Sequence, residues 1–178
     1  MGGGVPTAVL GLGNVLMADD ALGPVVIAHL QAGWTFPDDV EVEDLGTPGL
    51  DLHPHLAGKQ ALVIVDTVRT DAAPGTLRLY TKDDLLRHAP GPRVSPHDPG
   101  LKEALLSLQF AGQEPETVVL VGVAPGDTSG NVGLTPPVAA AVDAAVAAVI
   151  TQLRDLGHAV ERRDPPAAPD LWWTGGDA

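Results

Sequence analysis

The 178-residue chain contains no cysteine. That absence removes disulfides, thiolate nucleophiles, Cys-bound zinc and iron–sulfur clusters together, and it leaves His and carboxylates as the strong metal ligands available. Basic residues are scarce, with 10 Lys and Arg against 23 Asp and Glu and a formal net charge of −13. Such a field repels a phosphate backbone, and no basic stripe offers a footprint for nucleic acid, which is not an expected partner. Long apolar runs are missing as well. The longest nearly apolar segment, Val138 to Ile150, has 13 residues and is broken by Asp143, whereas a bilayer crossing needs roughly 20. The start, Met1-Gly2-Gly3-Gly4-Val5-Pro6, has no basic segment followed by an apolar one, and Pro6 stands where a myristoylation signal needs Ser or Thr. The expectation is a cytoplasmic protein with no membrane partner. With no long exposed apolar stripe evident, a monomer is expected.

Several catalytic signatures are absent too. No serine has the G-x-S-x-G surroundings of a nucleophile elbow, and there is no H-E-x-x-H. Gly11 and Gly13 at a strand end suggest a dinucleotide fingerprint, but its third glycine would fall on Leu16. The two glycines are expected to serve a tight turn under the sheet rim. No internal repeat is present.

What the chain does have is a regular alternation of apolar segments and turns. Thr7 to Leu12 reads as a buried strand, followed by a helix from about Pro24 with Leu22, Val26 and Leu30 on one face. Asp19 and Asp20 then fall in the loop between them. Val40 to Leu45 alternates as a half-buried or edge strand does, with Asp44 at its end, and a short helix is expected over Leu50 to Leu56. Ala61 to Val65 is apolar on both faces, the mark of a central strand, and stops at Asp66. Thr76 to Thr81 is expected nearer an edge. A Pro- and Gly-rich loop from Arg87 to Pro96 delivers His97 before Asp98, a good N-cap, and the next helix carries Leu101, Leu105 and Leu108 up to Gly112. Thr117 to Val123 is a fifth strand. A last helix is predicted from Pro136 to Gly157, capped by Thr135, with Val138, Val142, Val146, Val149 and Leu153 on its apolar face.

These elements predict an α/β fold, a three-layer sandwich with a five-stranded, mostly parallel twisted sheet and helices on both faces. The length suits one domain. Residues 1–6 are expected to be flexible, 7–160 to form the single α/β domain, and 161–178 to be a flexible tail, with Trp172 and Trp173 able to dock on a surface groove. In such sheets ligands bind beyond the carboxyl ends of the strands. Asp20, Asp44, Asp66 and His97 all fall at strand ends or helix starts, where side chains can share one rim. Asp20, Asp66 and His97 could bind one metal as two carboxylates and an imidazole, a set suited to nickel, zinc, iron or manganese. Residue type and spacing leave a second reading open, in which Asp19 or Asp20 caps a helix, Asp66 ends a strand near a turn and His97 packs against Pro96.

Residues 11 to 23, Gly-Leu-Gly-Asn-Val-Leu-Met-Ala-Asp-Asp-Ala-Leu-Gly, closely resemble the opening signature of the nickel-iron hydrogenase maturation endopeptidases. Asp44-Leu45-Gly46-Thr47-Pro48-Gly49, Leu62-Val63-Ile64-Val65-Asp66, Ser95-Pro96-His97, Leu120 to Pro125 and Gly133 to Pro136 resemble further family blocks in family order. The resemblance covers roughly residues 7 to 155. It implies a five-stranded α/β sandwich and a protease that removes the C-terminal extension of a hydrogenase large-subunit precursor after nickel insertion. It further implies that Asp20, Asp66 and His97 are the metal-contacting, catalytic positions and that Asp44 is a substrate-recognition position. The nickel would be supplied by the precursor, with another divalent metal able to substitute in the isolated protein. Relatives more often carry Glu at the first position, one methylene longer than Asp20. The alternative is a paralogue that binds precursor or nickel as an assembly chaperone and cuts nothing.

Overall fold

The computed structural model describes residues 4–47, 52–87 and 100–175. The principal strands are β1 (Thr7–Leu12), β3 (Val40–Gly46), β4 (Ala61–Thr67), β5 (Leu77–Thr81) and β6 (Thr117–Val123); a two-residue β2 (Trp34–Thr35) lies between β1 and β3 in the chain. Among the described residues the main sheet has five strands in the order β3-β1-β4-β6-β5. All neighbours in it are parallel except β5, which runs antiparallel to β6 at the edge. The strand expected at the centre, β4, is there, and the one expected nearer an edge is the edge.

Alternation along the strands explains the three layers. Val9, Val63, Val65, Val121 and Val123 face one side, where they pack with α1 (Leu22–Gly33) and α6 (Val142–Asp155). Leu10, Leu12, Leu62, Ile64 and Leu120 face the other, under α2 (Leu52–Leu56), α3 (Lys82–Arg87) and α4 (Leu101–Phe110). A parallel sheet covered on both faces needs such continuous apolar strands, and β4 is buried at every position. Gly112 and Gly157, both at positive φ, follow α4 and α6 where helix ends were predicted.

The structure departs from the sequence reading at several points. The last helix is two pieces, α5 (Pro136–Ala139) and α6, because the Ala141 N–H tightens onto the Val138 carbonyl at 3.0 Å; Val138 and Val142 both stay buried across the break. By length and composition Pro136–Asp155 could cross a bilayer, but Val138, Val142, Val149 and Leu153 lie in the core beside the sheet. Lys82–Arg87 forms a helix that periodicity did not reveal. The expected start of α2 at Leu50, the loop from residue 88 to Pro96, and the Asp98 cap lie outside the described residues.

The tail, expected to be flexible with Trp172 and Trp173 able to dock, carries β7 (Glu161–Arg162), which pairs antiparallel with β2. Beyond it the Arg163 and Ala167 N–H groups donate to the Gly33 and Ala32 carbonyls, and Leu171 and Trp173 pack against the core. The reason lies in α1, whose sequence is apolar nearly all round. A helix of that composition must be covered on its outer side as well as against the sheet.

Candidate active site

The connection from β1 to β3 runs through α1 on one face of the sheet, and that from β3 to β4 runs through α2 on the other. The chain therefore changes face between β1 and β4, the switch point at whose carboxyl ends this fold class binds ligands. Glycines let the backbone close around it. A Cβ at Gly11 would meet Ile27 Cγ1 at 2.5 Å, and one at Gly23 would crowd the backbone of Leu12 and the Val65 carbonyl. These two glycines bring the first turn of α1 directly onto β1 and β4. Gly13, at φ 141°, leaves room for the Asp20 carbonyl oxygen, which a Cβ would overlap. The glycines thus serve close helix and loop approach, beyond the tight turn inferred from sequence.

Asp19 and Asp20 do not lie in an open loop. They occupy a 3-10 turn, Ala18–Ala21, that leads into α1, and both are buried. Neither caps α1, whose N-cap is Ala21 with no side-chain hydrogen bond. Successive residues in a 3-10 helix are about 120° apart, so the adjacent carboxylates diverge. Asp20 turns toward β4: its Oδ2 accepts the Asn14 N–H at 2.9 Å and its Oδ1 accepts the Thr67 hydroxyl at 3.2 Å. Asp66 sits within β4, 5% exposed, and its Oδ1 accepts the Thr67 N–H at 2.8 Å. Thr67 therefore serves both candidate carboxylates.

Asp19 turns the other way. Its Oδ2 accepts the N–H groups of Gly126 and Asp127 at 2.7 and 2.9 Å, and its Oδ1 accepts the Thr135 N–H at 2.7 Å. The Thr135 hydroxyl donates to Asp19 Oδ2 at 2.9 Å. Thr135 occupies the N-cap position of α5 as predicted, but its side chain makes no capping bond. Asp19 takes that hydroxyl instead.

Asp44 lies on β3 opposite Gly11, in a strand that continues to Gly46 past the expected end. Its Oδ1 accepts the Gly46 N–H at 2.8 Å. Desolvation by the surrounding protein pushes its carboxyl above the ordinary range, while that Gly46 bond pulls down more weakly. The Gly13 N–H donates to the Gly46 carbonyl at 2.8 Å, tying the first two rim loops together. His97 lies outside the described residues. Among the described residues no three His, Asp or Glu side chains converge as a metal-ligand set. The structure thus joins Asp20 and Asp66 through Thr67 and places Asp44 on a neighbouring strand of the same rim. Sequence reasoning missed Thr67, whose signal was only its place after Asp66 at a strand end, and Asn14; it marked Asp19 as a neighbour supporting Asp20 without the partners that hold it.

An open, mostly parallel α/β sheet with two buried carboxylates at the point where the chain changes face defines a protein with an acidic site in the crevice where this fold class binds ligands. The profile of the HycI hydrogenase maturation protease family matches residues 24–152. The chain is 36% identical over 150 residues to the hydrogenase 2 maturation protease of Escherichia coli K12, covering 84% of this chain and 91% of that one. It is 32% identical over 160 residues to the hydrogenase expression/formation protein HoxM of Azotobacter vinelandii, covering 89% and 77%. Among solved structures, the hydrogenase maturating endopeptidase HybD from E. coli superposes with a TM-score of 0.83 at 34% identity, over 89% of this chain and 98% of that one. The chain belongs to the hydrogenase maturation protease family.

Proposed function

We propose that this protein is an endopeptidase that removes the C-terminal extension of a nickel-iron hydrogenase large-subunit precursor once nickel has been inserted. Nickel held by the precursor is part of the substrate. Asp20, Asp66 and His97 engage it at its open coordination positions, and docking places the scissile peptide beside them; Asp44 recognises the substrate at the rim. The observation that carries this reading is the meeting of Asp20 and Asp66 at Thr67, two buried carboxylates, one in the turn between β1 and α1 and one near the carboxyl end of the adjacent β4. Without cysteine, the chain supplies a nitrogen and oxygen donor set, and the chemistry of that set suits nickel or another divalent ion. A metal so held can polarise the peptide carbonyl or position water. The protein acts in the cytoplasm as a monomer.

The test compares cleavage of nickel-loaded and nickel-free precursor by mass spectrometry of the products. Cleavage of the loaded form alone is expected. Equal cleavage of both, or of neither, overturns recognition through nickel. Tight precursor binding without mass loss would instead identify an assembly chaperone, a reading favoured only by the shorter Asp20.

A further inference from the structure

Asp19 is fully buried, and the proposed chemistry does not use it. Among the described residues every partner of its side chain is a donor: the N–H groups of Gly126, Asp127 and Thr135, and the Thr135 hydroxyl. Both of its oxygens face N–H groups, so an amide, turned either way, would set its NH2 against a donor. Main-chain bonds reinforce the junction, the Asp19 N–H donating to the Asp127 carbonyl at 3.0 Å and the Ala18 N–H to the Asn131 carbonyl at 2.7 Å. Ala18 holds φ 46°, left-handed and costly for a residue with a side chain. Such a conformation persists where surroundings over-determine it, and here these contacts do so.

We infer that Asp19 is a positioning residue for Asp20. Its carboxylate clamps the 3-10 turn to the segment between β6 and α5. With the turn fixed on that side, the next residue, about 120° further round, is held toward Asn14 and Thr67. Asp19 touches no substrate and acts through the orientation it imposes on Asp20. The catalytic meaning of that orientation rests on the function proposed above; the orientation itself does not.

The test uses the full chain with Asp19→Asn and, because loss of bonds to a buried carboxylate can cost the fold, Thr135→Val, which deletes one of the four donors and keeps the shape. The first readout is hydrogen exchange at the Asn14 N–H, the donor to Asp20, relative to amides of the central strand β4. A merely structural role raises both together. The positioning role speeds Asn14 selectively. The second readout is kcat/KM for nickel-loaded precursor, expected to fall about 100-fold in Asp19→Asn, the usual consequence of an ångström-scale misplacement. About 10-fold is expected in Thr135→Val. Folded Asp19→Asn with Asn14 protected as in the wild type overturns the inference, as does wild-type kcat/KM with Asn14 exposed. If Asp19→Asn does not fold, the same outcomes in Thr135→Val decide. Should the wild type cleave no precursor, the proposed function fails while the exchange measurement still decides what Asp19 does.

Discussion

Thr67 donates its hydroxyl hydrogen to Asp20 Oδ1 across 47 positions of sequence, while its own N–H holds Asp66 Oδ1. One residue thereby fixes the relative placement of two carboxylates that neighbour each other only in the folded chain. Thr67→Val keeps the backbone bond to Asp66 and the shape of the side chain, and removes only the bond to Asp20. Precursor cleavage is expected to fall roughly 10- to 100-fold, the usual cost of losing a partner that orients a functional ligand. Steady-state cleavage rates, with the denaturation midpoint as a control for folding, measure it.

Gly13→Ala attacks the same site from beneath. The new methyl would overlap the Asp20 carbonyl, and φ 141° is forbidden to alanine. A loss of about 2 kcal/mol or more in unfolding free energy is expected, together with loss of cleavage, since Asp20 must move to make room. Urea denaturation gives the first quantity and product mass the second.

Asp66→Ala and His97→Ala are each expected to abolish precursor processing while leaving the far-ultraviolet circular dichroism of the wild type. Cleavage at the wild-type rate by either folded variant would remove that residue from the site.

Two carboxylates carry opposite pH signatures. Asp127 is fully exposed, and its carboxylate is stabilised chiefly by the Ser129 N–H and then by the Ser129 hydroxyl, so its pKa is lowered. Its contribution to stability is present above the unfolded value and is lost as pH falls through the folded one. Asp44 has a raised pKa, caused first by desolvation. Its charged form is disfavoured by folding, so its contribution declines as pH rises from the unfolded toward the folded value. Carboxyl-carbon NMR titration should find Asp127 below and Asp44 above the ordinary aspartate midpoint. Asp44→Asn should leave stability at neutral pH unchanged or higher while weakening precursor recognition, measured as a rise in KM.

The docked tail makes a contrast between adjacent residues. Trp173 packs on the core beside Leu171, whereas Trp172 is 70% exposed and meets Trp173 edge to face with ring centroids 5.7 Å apart. Trp173→Ala is expected to cost about 1–2 kcal/mol, a partly buried fraction of the usual aromatic truncation. Trp172→Ala should cost less than about 0.5 kcal/mol. Thermal denaturation of the two variants separates them.

The sequence by itself determined the strands of the sheet and which of them is central. Their side chains follow the twofold period of a strand, and Ala61 to Val65 is apolar on both phases of it. It also determined that Asp66 stands at the end of the central strand and that Asp20 follows the first strand ahead of α1, because the apolar runs stop before them. Periodicity in a window of ten residues carries that information, since burial against a flat layer is a local pattern. Only the tertiary structure decided what each carboxylate contacts. Asp19 and Asp20 are chemically identical neighbours, and their partners differ because a 3-10 turn aims them in different directions, one at Gly126, Asp127 and Thr135 and the other at Thr67. Those partners lie 47 to 116 residues away, beyond any local window. The same reason hid which surface the tail docks on: a segment without periodicity takes its order from the surface it covers, here the outer side of α1, and nothing in residues 161–175 alone encodes that surface.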